Sequence, residues 1–229
     1  MVKKKKVKFL VIDGGDCLGK STQLNQLIKH FKDMGKNIHL TKQLGGDGTD
    51  DYQNALRAIL IHDKFPKNNI ELEETLFSLA DTECAKMAEN FMDNNENAMV
   101  IRDRGLASHV IYAMAKNMPL EKISHFHADA IQYERSFNAK YGVLNLILVA
   151  KDPMLGMKRI QKRVQMEGIK IVERLENAET QARVMDGMRW FKDSTFAQGT
   201  NVEVIEIEES DSIMDVKAKI MAVVDRYEF

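Results

Sequence analysis

Eight residues near the amino terminus combine glycine, lysine and serine in a spacing that suits phosphate chemistry. Residues 14–21, Gly-Gly-Asp-Cys-Leu-Gly-Lys-Ser, fit the pattern G-x-x-x-x-G-K-[ST]. Glycines let such a backbone wrap around a phosphate chain, because no Cβ stands in the way. Lys20 can reach the β- and γ-phosphates, and the Ser21 hydroxyl can ligate Mg²⁺. The predicted residues of this Mg-ATP site are Gly14, Gly15, Asp16, Cys17, Leu18, Gly19, Lys20, Ser21 and Thr22.

The segments that flank this loop support the prediction. An apolar run at 9–12 precedes it, and residues 22–34 have helical spacing. A helix that starts at the loop directs its N–H groups and a partial positive charge towards an anion. Without this context, the same residues would be an ordinary glycine-rich turn with a solvated lysine. The order of strand, loop and helix therefore favours nucleotide binding.

Composition limits the class of protein. The 229 residues suffice for one α/β domain with a core, and we expect a single domain over 1–229. The net charge of -1 provides no global field for nucleic acid or an anionic membrane, and no apolar stretch approaches ~18 residues. The lysines at 3–6 predict a solvated, frayed terminus, with a nuclear or nucleic-acid tag as the alternative. Cys17 and Cys84 form no disulfide or metal pattern, which suits the cytoplasm.

Alternating patterns predict the elements that must position the loop. We expect strands at 7–12, 37–41, 98–101, 143–150 and 202–207. We expect helices at 21–34, 51–61, 71–92, 106–116, 120–139, 155–163, 178–190 and 212–227. Strands that alternate with helices imply a five-stranded parallel sheet covered by helices, with ligands at the carboxyl ends of the strands.

Charged residues follow the predicted strands at that edge. Asp13, Lys42, Asp103 and Asp152 come after the first four strands in turn. Phosphoryl transfer depends on positioning, Mg²⁺ and cations rather than on covalent help from the protein. Asp103 can hold Mg²⁺ or its waters, and the adjacent Arg104 can bind a second phosphate. The alternative is an ordinary ion pair at the end of a strand.

A basic cluster lies between two predicted helices, where a closing lid would be. A lid excludes water and brings cations onto the transferred group, and we place it at about 154–176. A solvated helix face is the alternative for any single residue of the cluster. The cluster consists of Lys158, Arg159, Lys162, Arg163, Lys170 and Arg174.

Six segments in this order resemble the thymidylate kinases, which move the γ-phosphoryl group of ATP to a deoxynucleoside monophosphate. The loop at 13–23 is similar to the family's, with its trailing Thr-Gln, and Lys-Gln-Leu-Gly-Gly at 42–46 stands at the family's Arg-Glu-Pro-Gly-Gly. Leu-Phe-Ser-Leu-Ala-Asp at 76–81 resembles the helix whose Phe stacks on the base. Residues 102–113 resemble the Asp-Arg-Tyr motif, Asp-Pro at 152–153 follows a strand, and Glu-Arg-Leu-Glu at 173–176 resembles the lid motif.

The resemblance implies a P-loop NTPase-type three-layer fold, a homodimer and a role for each matching residue. Asp13 and Asp103 would lie near Mg²⁺ and the acceptor phosphate, which Arg104 would hold. Phe77 would stack on the base, and Tyr112 would press against the sugar and disfavour a 2′-hydroxyl. The catalytic set is then Lys20, Asp13, Asp103 and Arg104, with the lid candidates Arg159, Arg163 and Arg174. The substrate-binding set is Asp13, Lys42, Phe77, Asp81, Arg104, Ser108, His109 and Tyr112, and the metal set is Ser21 and Asp103.

Some positions depart from the family pattern. The loop lacks the arginine that some members carry there, so we expect the lid to supply the catalytic cation. Gly105 replaces the Tyr of Asp-Arg-Tyr. Asp81 stands where the family has the arginine that reads the base, and His109 stands where it has a Ser or Asn. An ionised Asp cannot donate to a pyrimidine oxygen, so thymine recognition is relaxed or rebuilt, and dUMP or a base with an amino group stays possible.

The function predicted from these residues is transfer of a phosphoryl group from ATP to dTMP, which gives dTDP and ADP. A methyl group in a pocket discriminates by only ~1–3 kcal/mol, so dUMP is a second acceptor to test. Two other functions stay open, a deoxynucleoside kinase and a non-catalytic nucleotide switch. The first would need a carboxylate base and little positive charge at the acceptor, which Lys42 and Arg104 disfavour.

Overall fold

The computed structural model describes residues 5–42, 51–61, 69–167 and 178–229. The strands are β1 (Lys5–Lys6), β2 (Phe9–Gly14), β3 (Asn37–Lys42), β4 (Ala98–Asp103), β5 (Val143–Ala150), β6 (Asn201–Ile207) and β7 (Tyr227–Glu228). The helices are α1 (Lys20–Asp33), α2 (Asp51–Ile61), α3 (Ile70–Asn94), α4 (Leu106–Ala115), α5 (Leu120–Phe126), α6 (Ala128–Tyr141), α7 (Leu155–Glu167), α8 (Ala178–Phe191) and α9 (Ile213–Val224).

The central sheet has five parallel strands in the order β3–β4–β2–β5–β6. β5, Val-Leu-Asn-Leu-Ile-Leu-Val-Ala, is buried at every position. Such a continuous apolar run is typical of a strand covered on both faces. The carboxyl ends of β2, β3 and β4 lie side by side, because Ile12 and Lys42 are both in register with Asp103. The predicted three-layer fold and the five predicted strands are confirmed.

Alternate residues of β2 explain the layers. Leu10 and Ile12 belong to a core cluster with side chains of α1 and α9. Phe9 and Val11 belong to a second cluster with side chains of α3 and α6. Because successive side chains of a strand point to opposite faces, these helix pairs cover the two sides of the sheet. The helices α4 and α8 contact each other and β2 at the carboxyl edge.

The predicted helix at 120–139 is wrong as a single helix. It is divided into α5 and α6 at His127, whose backbone leaves helical values with a φ of -106° and a ψ of 19°. The imidazole of His127 is fully buried, and its Nε2 lies 3.0 Å from Glu74 Oε2 on α3. A long-range contact with a buried carboxylate therefore accompanies the break, and no local pattern marks it.

The predicted closing helix at 212–227 is too long at its carboxyl end. Ser212 does cap α9, because its hydroxyl accepts from Asp215 N–H at 3.2 Å while Asp215 accepts from Ser212 N–H at 2.9 Å. The helix ends at Val224, and β7 follows. β7 pairs in parallel with β1, so the two ends of the described chain form a small second sheet.

The apolar stretch that contains α4 lies in the core. Most side chains of α4 are buried, among them Leu106, Val110 and Ile111. Core burial therefore explains the apolar character of this helix. Within the described ranges, no helix is both long enough and apolar enough to cross a lipid bilayer.

Candidate active site

The predicted phosphate loop lies between β2 and α1, at the carboxyl edge of the sheet. Gly14 has a φ of 137°, and a Cβ at this position would collide with the carbonyl oxygen of Leu148 on β5. Gly19 has a φ of 87°, a value that favours glycine over residues with a Cβ. These two glycines fix the turn that leads the chain from the strand into the helix.

Lys20 is the first residue of α1, and its side chain lies beneath the loop. Its Nζ donates to Gly14 O at 3.0 Å and to Gly15 O at 2.6 Å, and the residue is buried. Burial and the nearby Arg104 lower the pKa of Lys20 to about 8, although neighbouring carboxylates oppose the shift. The ammonium is therefore held by two carbonyl oxygens beneath the loop, in a position where a phosphate would stabilise its charge.

The other loop residues divide into exposed and buried groups. Ser21 and Thr22 are exposed in the first turn of α1, where Gly19 provides no side-chain cap for the first N–H groups. Leu18 packs into the main core, and Cys17 is half-buried with a φ of 58°. The start of α1 therefore presents backbone N–H groups and two hydroxyls to the outside, a set that suits an anion.

Arg104 follows β4 in a conformation that is uncommon for a residue with a Cβ. Its φ is 68°, and its N–H donates to Ile12 O at 3.0 Å. The guanidinium Nη2 donates to Asp16 Oδ1 at 2.5 Å, and its carbon lies 5.2 Å from the centre of the Tyr112 ring. The turn after β4 thus directs the predicted acceptor cation at the phosphate loop itself.

Asp16 links the loop to three other elements. Its second oxygen, Oδ2, accepts hydrogen bonds from Tyr112 Oη and from Gln181 Nε2, each at 2.9 Å. Burial alone would raise the pKa of Asp16, but Arg104 and Lys20 lower it below its ordinary value. Asp16 is therefore an ionised carboxylate that bridges the loop to Arg104, Tyr112 and Gln181.

Lys42 and Asp103 occupy neighbouring strand ends. They are directly in register on β3 and β4, and Lys42 Nζ lies 3.7 Å from Asp103 Oδ2. Asp103 is buried, whereas 37% of the Lys42 side chain is exposed. The pair combines a buried carboxylate with a partly exposed cation beside Arg104, so both predicted residues lie at the same edge as the loop.

Asp13 and Ser108 are bonded to each other inside the protein. Asp13 Oδ1 accepts from Gly105 N–H at 3.0 Å, from Ser108 N–H at 3.1 Å and from Ser108 Oγ at 2.5 Å. Asp13 is fully buried. Because it accepts from two N–H groups at the start of α4, it caps this helix from the neighbouring strand β2. Gly105 fits this turn because a Cβ there would lie 2.6 Å from Val11 Cγ1.

Asp81, at the base end of the predicted acceptor pocket, is paired with two other side chains. Asp81 is buried, and its two oxygens pair with Arg102 Nη2 and with His109 Nε2, the latter at 2.8 Å. Burial and the neighbouring His127 lower the pKa of His109 well below its usual value, so the ring is neutral and donates from Nε2. Phe77 is half-buried, with its ring centre 6.1 Å from that of His109.

A second buried group of charges supports this wall. Lys116 Nζ donates to Glu74 Oε1 at 2.6 Å and lies 5.4 Å from the centre of the Phe77 ring. Glu74 Oε2 contacts His127, whose ring centre is 5.0 Å from that of His109. These contacts tie α3 to α4 and to the junction of α5 and α6, so the position of Phe77 depends on a network of buried charges.

Of the lid candidates, the structure describes Arg159 in full. Its Nη1 lies 3.5 Å from Cys17 O, which brings a cation from α7 to the phosphate loop. The side chain of Arg163 lies outside the described part of the chain, as do Lys170 and Arg174. Residues 43–46 of the predicted motif at 42–46 and the lid motif at 173–176 also fall outside the described residues.

Two residues of the candidate site have no role in the sequence prediction. Arg102 belongs to the motif at 102–113, and it neutralises Asp81. Gln181 lies outside the six matching segments, and it contacts Asp16. A signal for Gln181 did exist, because it shares a helical face with three buried apolar side chains, Val184, Met185 and Met188. A polar residue on a buried helix face must find a hydrogen-bond partner.

The donor set at this edge suits a magnesium-nucleotide complex. Mg²⁺ in nucleotide sites is held by one or two protein oxygens, and waters and phosphates complete its shell. The exposed Ser21 hydroxyl and the Asp103 carboxylate are oxygen donors of this kind. Among the residues described, no group of three or more His, Cys, Asp or Glu residues forms a metal site built from protein ligands alone.

Comparisons with known proteins agree on one family. The family model described as thymidylate kinase matches residues 12–220. The thymidylate kinase of Sulfurimonas denitrificans is 23% identical over 213 residues, which cover 93% of this chain and 97% of that protein. The thymidylate kinases of Campylobacter jejuni (strain RM1221) and Campylobacter lari are 34% identical over 105 residues, or 46% of this chain. The match to these two relatives spans about half of their length, 49% and 48%.

The matched range runs from the end of β2 into α9 and contains the described elements of the site. It includes the phosphate loop, the turn after β4 that carries Arg104, and the start of α7. The resemblance found in the sequence is confirmed, and the chain belongs to the thymidylate kinase family.

Proposed function

We propose that this protein transfers the γ-phosphoryl group of ATP to dTMP and forms dTDP and ADP. One observation carries the proposal: Arg104 donates to Asp16 at 2.5 Å, so the acceptor cation adjoins the loop that would hold the donor phosphates. Family membership and the names of the relatives, all thymidylate kinases, support the same reaction. A site with two anion pockets side by side suits transfer between two phosphates.

On the donor side, the phosphate loop would bind the ATP phosphates with its backbone N–H groups. Lys20 lies beneath the loop and would exchange its contacts with Gly14 O and Gly15 O for phosphate oxygens. When bound, Mg²⁺ would neutralise charge on the phosphates, with Ser21 and Asp103 as its protein partners. The protein's contribution is therefore positioning and charge stabilisation in a buried setting.

On the acceptor side, Arg104 and Lys42 would bind the phosphate of the monophosphate. The guanidinium suits a bidentate contact, and the pairing of Arg104 with Asp16 fixes its direction. Lys42 is held beside Asp103 but keeps part of its side chain exposed. Two cations at this position favour a phosphorylated acceptor over a nucleoside, whose hydroxyl would need a base instead.

For the catalytic cation, we propose Arg159 among the three lid candidates. Its guanidinium approaches Cys17 O of the phosphate loop at 3.5 Å, which is at the outer limit of a hydrogen bond. Closure of α7 over bound nucleotides would tighten this approach and exclude water. The loop has Cys17 and no arginine of its own, so a cation from the lid completes the charge of the site.

For the base, we propose stacking on Phe77 with the sugar edge against Tyr112. The buried pairing of Asp81 with Arg102 and His109 removes its net charge from this wall. A neutralised wall accepts thymine without the family arginine at position 81, and we propose that dUMP is accepted more weakly. Because a missing methyl group costs only ~1–3 kcal/mol, the expected preference for dTMP over dUMP is roughly 10- to 200-fold.

The proposal is tested by ADP release with Mg-ATP and dTMP, dUMP, dCMP, dAMP, dGMP or thymidine as acceptor. We expect dTMP to have the highest kcat/KM and dUMP to follow. Absence of turnover with every monophosphate would reject the proposal. Turnover of thymidine without turnover of dTMP would identify a deoxynucleoside kinase instead.

The variant Arg104→Ala separates a kinase from a nucleotide switch. We expect kcat/KM for dTMP to fall by roughly 10²- to 10³-fold, as for other groups that stabilise transferring charge, while ATP binding is retained. The control is Arg183→Ala, which removes an exposed guanidinium paired with Glu179 on α8. A switch would tolerate both changes equally.

We further infer a cytoplasmic homodimer, as the resemblance implies, with nucleotides as its small-molecule partners and no nucleic-acid or membrane partner. Exposed apolar side chains on α3, at Leu72, Leu79 and Met87, offer a face for a second copy. Sedimentation analysis of the purified chain tests the dimer, because a monomer at micromolar concentration would contradict it.

A further inference from the structure

Gln181 holds Asp16 at two points. Its Nε2 donates to Asp16 Oδ2 at 2.9 Å, and its Oε1 accepts from Asp16 N–H at 3.3 Å. Gln181 is 1% exposed, so its amide is committed to the protein interior. A primary amide is suited to this task because it can donate to a carboxylate and accept from an N–H at the same time.

The helix that carries Gln181 is packed firmly against the phosphate loop. Met185, one turn along α8, fills the space beside Gly15, where an added Cβ would collide with its methyl group. The sulfur of Met185 accepts from Ala150 N–H at 3.4 Å, at the end of β5. Gln181 therefore projects from a fixed helix, and its amide position is set by packing.

The carboxylate that Gln181 holds is the one that directs Arg104. Asp16 Oδ1 accepts from Arg104 at 2.5 Å, and Oδ2 is shared between Gln181 and Tyr112. Rotation of the carboxylate would move the oxygen to which Arg104 is bonded. Because an error of ~1 Å in positioning can cost 10²-fold in rate, the partner that stops this rotation matters for catalysis.

We propose that Gln181 is a positioning residue that orients Arg104 towards the acceptor phosphate by fixing the Asp16 carboxylate. This inference rests on the proposed transfer to a monophosphate and assigns the residue that sets its acceptor site. Gln181 acts through Asp16 and does not itself contact the reacting groups. Its removal should therefore affect the acceptor more than ATP.

The first test is Gln181→Met, which keeps the length of the side chain and loses the amide. We expect KM for dTMP to rise at least ~10-fold, with KM for ATP changed by less than ~2-fold. Arg183→Met on the same helix is the control, because its side chain is exposed and pairs with Glu179. Equal increases of both KM values, or none, would overturn the proposal.

The second test, Gln181→Glu, has a readout that a merely structural role would not move. The introduced carboxyl can accept from Asp16 N–H at any pH, but it can donate to the Asp16 carboxylate only when protonated. The adjacent negative charge raises its pKa, whereas Arg104, Lys20 and Tyr112 face the same cluster in wild type and variant alike. The ratio of variant to wild-type kcat/KM for dTMP should thus rise at least ~5-fold between pH 8.5 and pH 6.

A ratio that stays constant with pH would overturn the proposal. This holds even if the variant is less active at every pH, because the readout is the change of the ratio with pH and not its size. Circular dichroism at each pH shows that both proteins are folded. Failure of the proposed function looks different, since wild type would then turn over no monophosphate. Wild-type turnover with unaffected variants would remove only the role of Gln181.

Discussion

The charged residues discussed for this site are paired with other charged or polar side chains. Asp16 is ionised because Arg104 and Lys20 lie beside it, and Arg104 keeps its direction because Asp16 accepts its hydrogen bond. At the base end, Arg102 and His109 both pair with Asp81. Buried pairs of this kind contribute little net stability but are costly to break on one side. Their value here is the fixed direction that they give to each charge.

The lowered pKa of Lys20 should make ATP binding depend on pH. Burial and Arg104 lower its pKa to about 8, and only the protonated ammonium attracts phosphate. Raising the pH through about 8 removes that proton from the free enzyme, so KM for ATP should rise above pH 8, by up to roughly tenfold per pH unit. The measurement is a profile of kcat/KM for ATP from pH 6 to 9.5 at saturating dTMP.

The comparison for this profile is Lys20→Arg. We expect this variant to have a lower kcat/KM for ATP, but its side chain stays charged over the whole pH range. Its kcat/KM for ATP should not fall with a midpoint near pH 8. A wild-type profile that is flat to pH 9.5 would show that the lysine keeps its proton in the free enzyme.

At the scale of elements, the turn between β4 and α4 is the most constrained part of the site. Asp13 on β2 accepts from two N–H groups and one hydroxyl at the start of α4, and Gly105 has no room for a Cβ against Val11. These contacts hold the turn in which Arg104 adopts its left-handed backbone. The cap on α4 thus supports the position of Arg104, the proposed acceptor cation.

Loss of one donor from this cap should weaken both the fold and the acceptor site. We expect Ser108→Ala to lower the free energy of unfolding by about 1–2 kcal/mol, because Asp13 is fully buried and loses its shortest hydrogen bond. Chemical denaturation measures the loss. Ser124→Ala on α5 is the control, since Ser124 is exposed, and equal effects of the two changes would contradict the role of the cap.

In the molecule as a whole, the candidate site and the two ends of the described chain lie at opposite edges of the sheet. β1 and β7 pair at the amino edge, where Val7 N–H donates to Glu228 O at 2.7 Å and the rings of Phe31 and Phe229 are 4.8 Å apart. The site residues follow the carboxyl ends of β2, β3 and β4. The closure of the chain ends therefore stabilises the sheet without entering the site.

This separation predicts that stability and activity can be changed independently. We expect Phe229→Ala to lower the free energy of unfolding by about 2 kcal/mol and Tm by roughly 5 °C, because an aromatic contact with Phe31 is lost. Kinetic constants at 25 °C should stay within about twofold of wild type. A large change in KM for dTMP would contradict the separation of the two edges.

The sequence predicts the loop at 14–21, the alternation of strands and helices, the charged residues at the strand ends and the family. These follow from local patterns, since hydrophobic period and glycine spacing reflect the backbone within a few residues. It also placed the cap of α9 at Ser212. It did not locate the break at His127 or the pairing of β1 with β7.

Which charges meet depends on how the helices and strands pack together. Three contacts join residues that are far apart in the chain. Asp81 pairs with Arg102 across 21 positions, and Asp13 caps α4 at Ser108 across 95 positions. Gln181 donates to Asp16 across 165 positions. No local period encodes such a contact. A buried charge is stable only with a partner close to it in space. The packed elements can bring that partner from any position in the chain, so the local sequence does not reveal it.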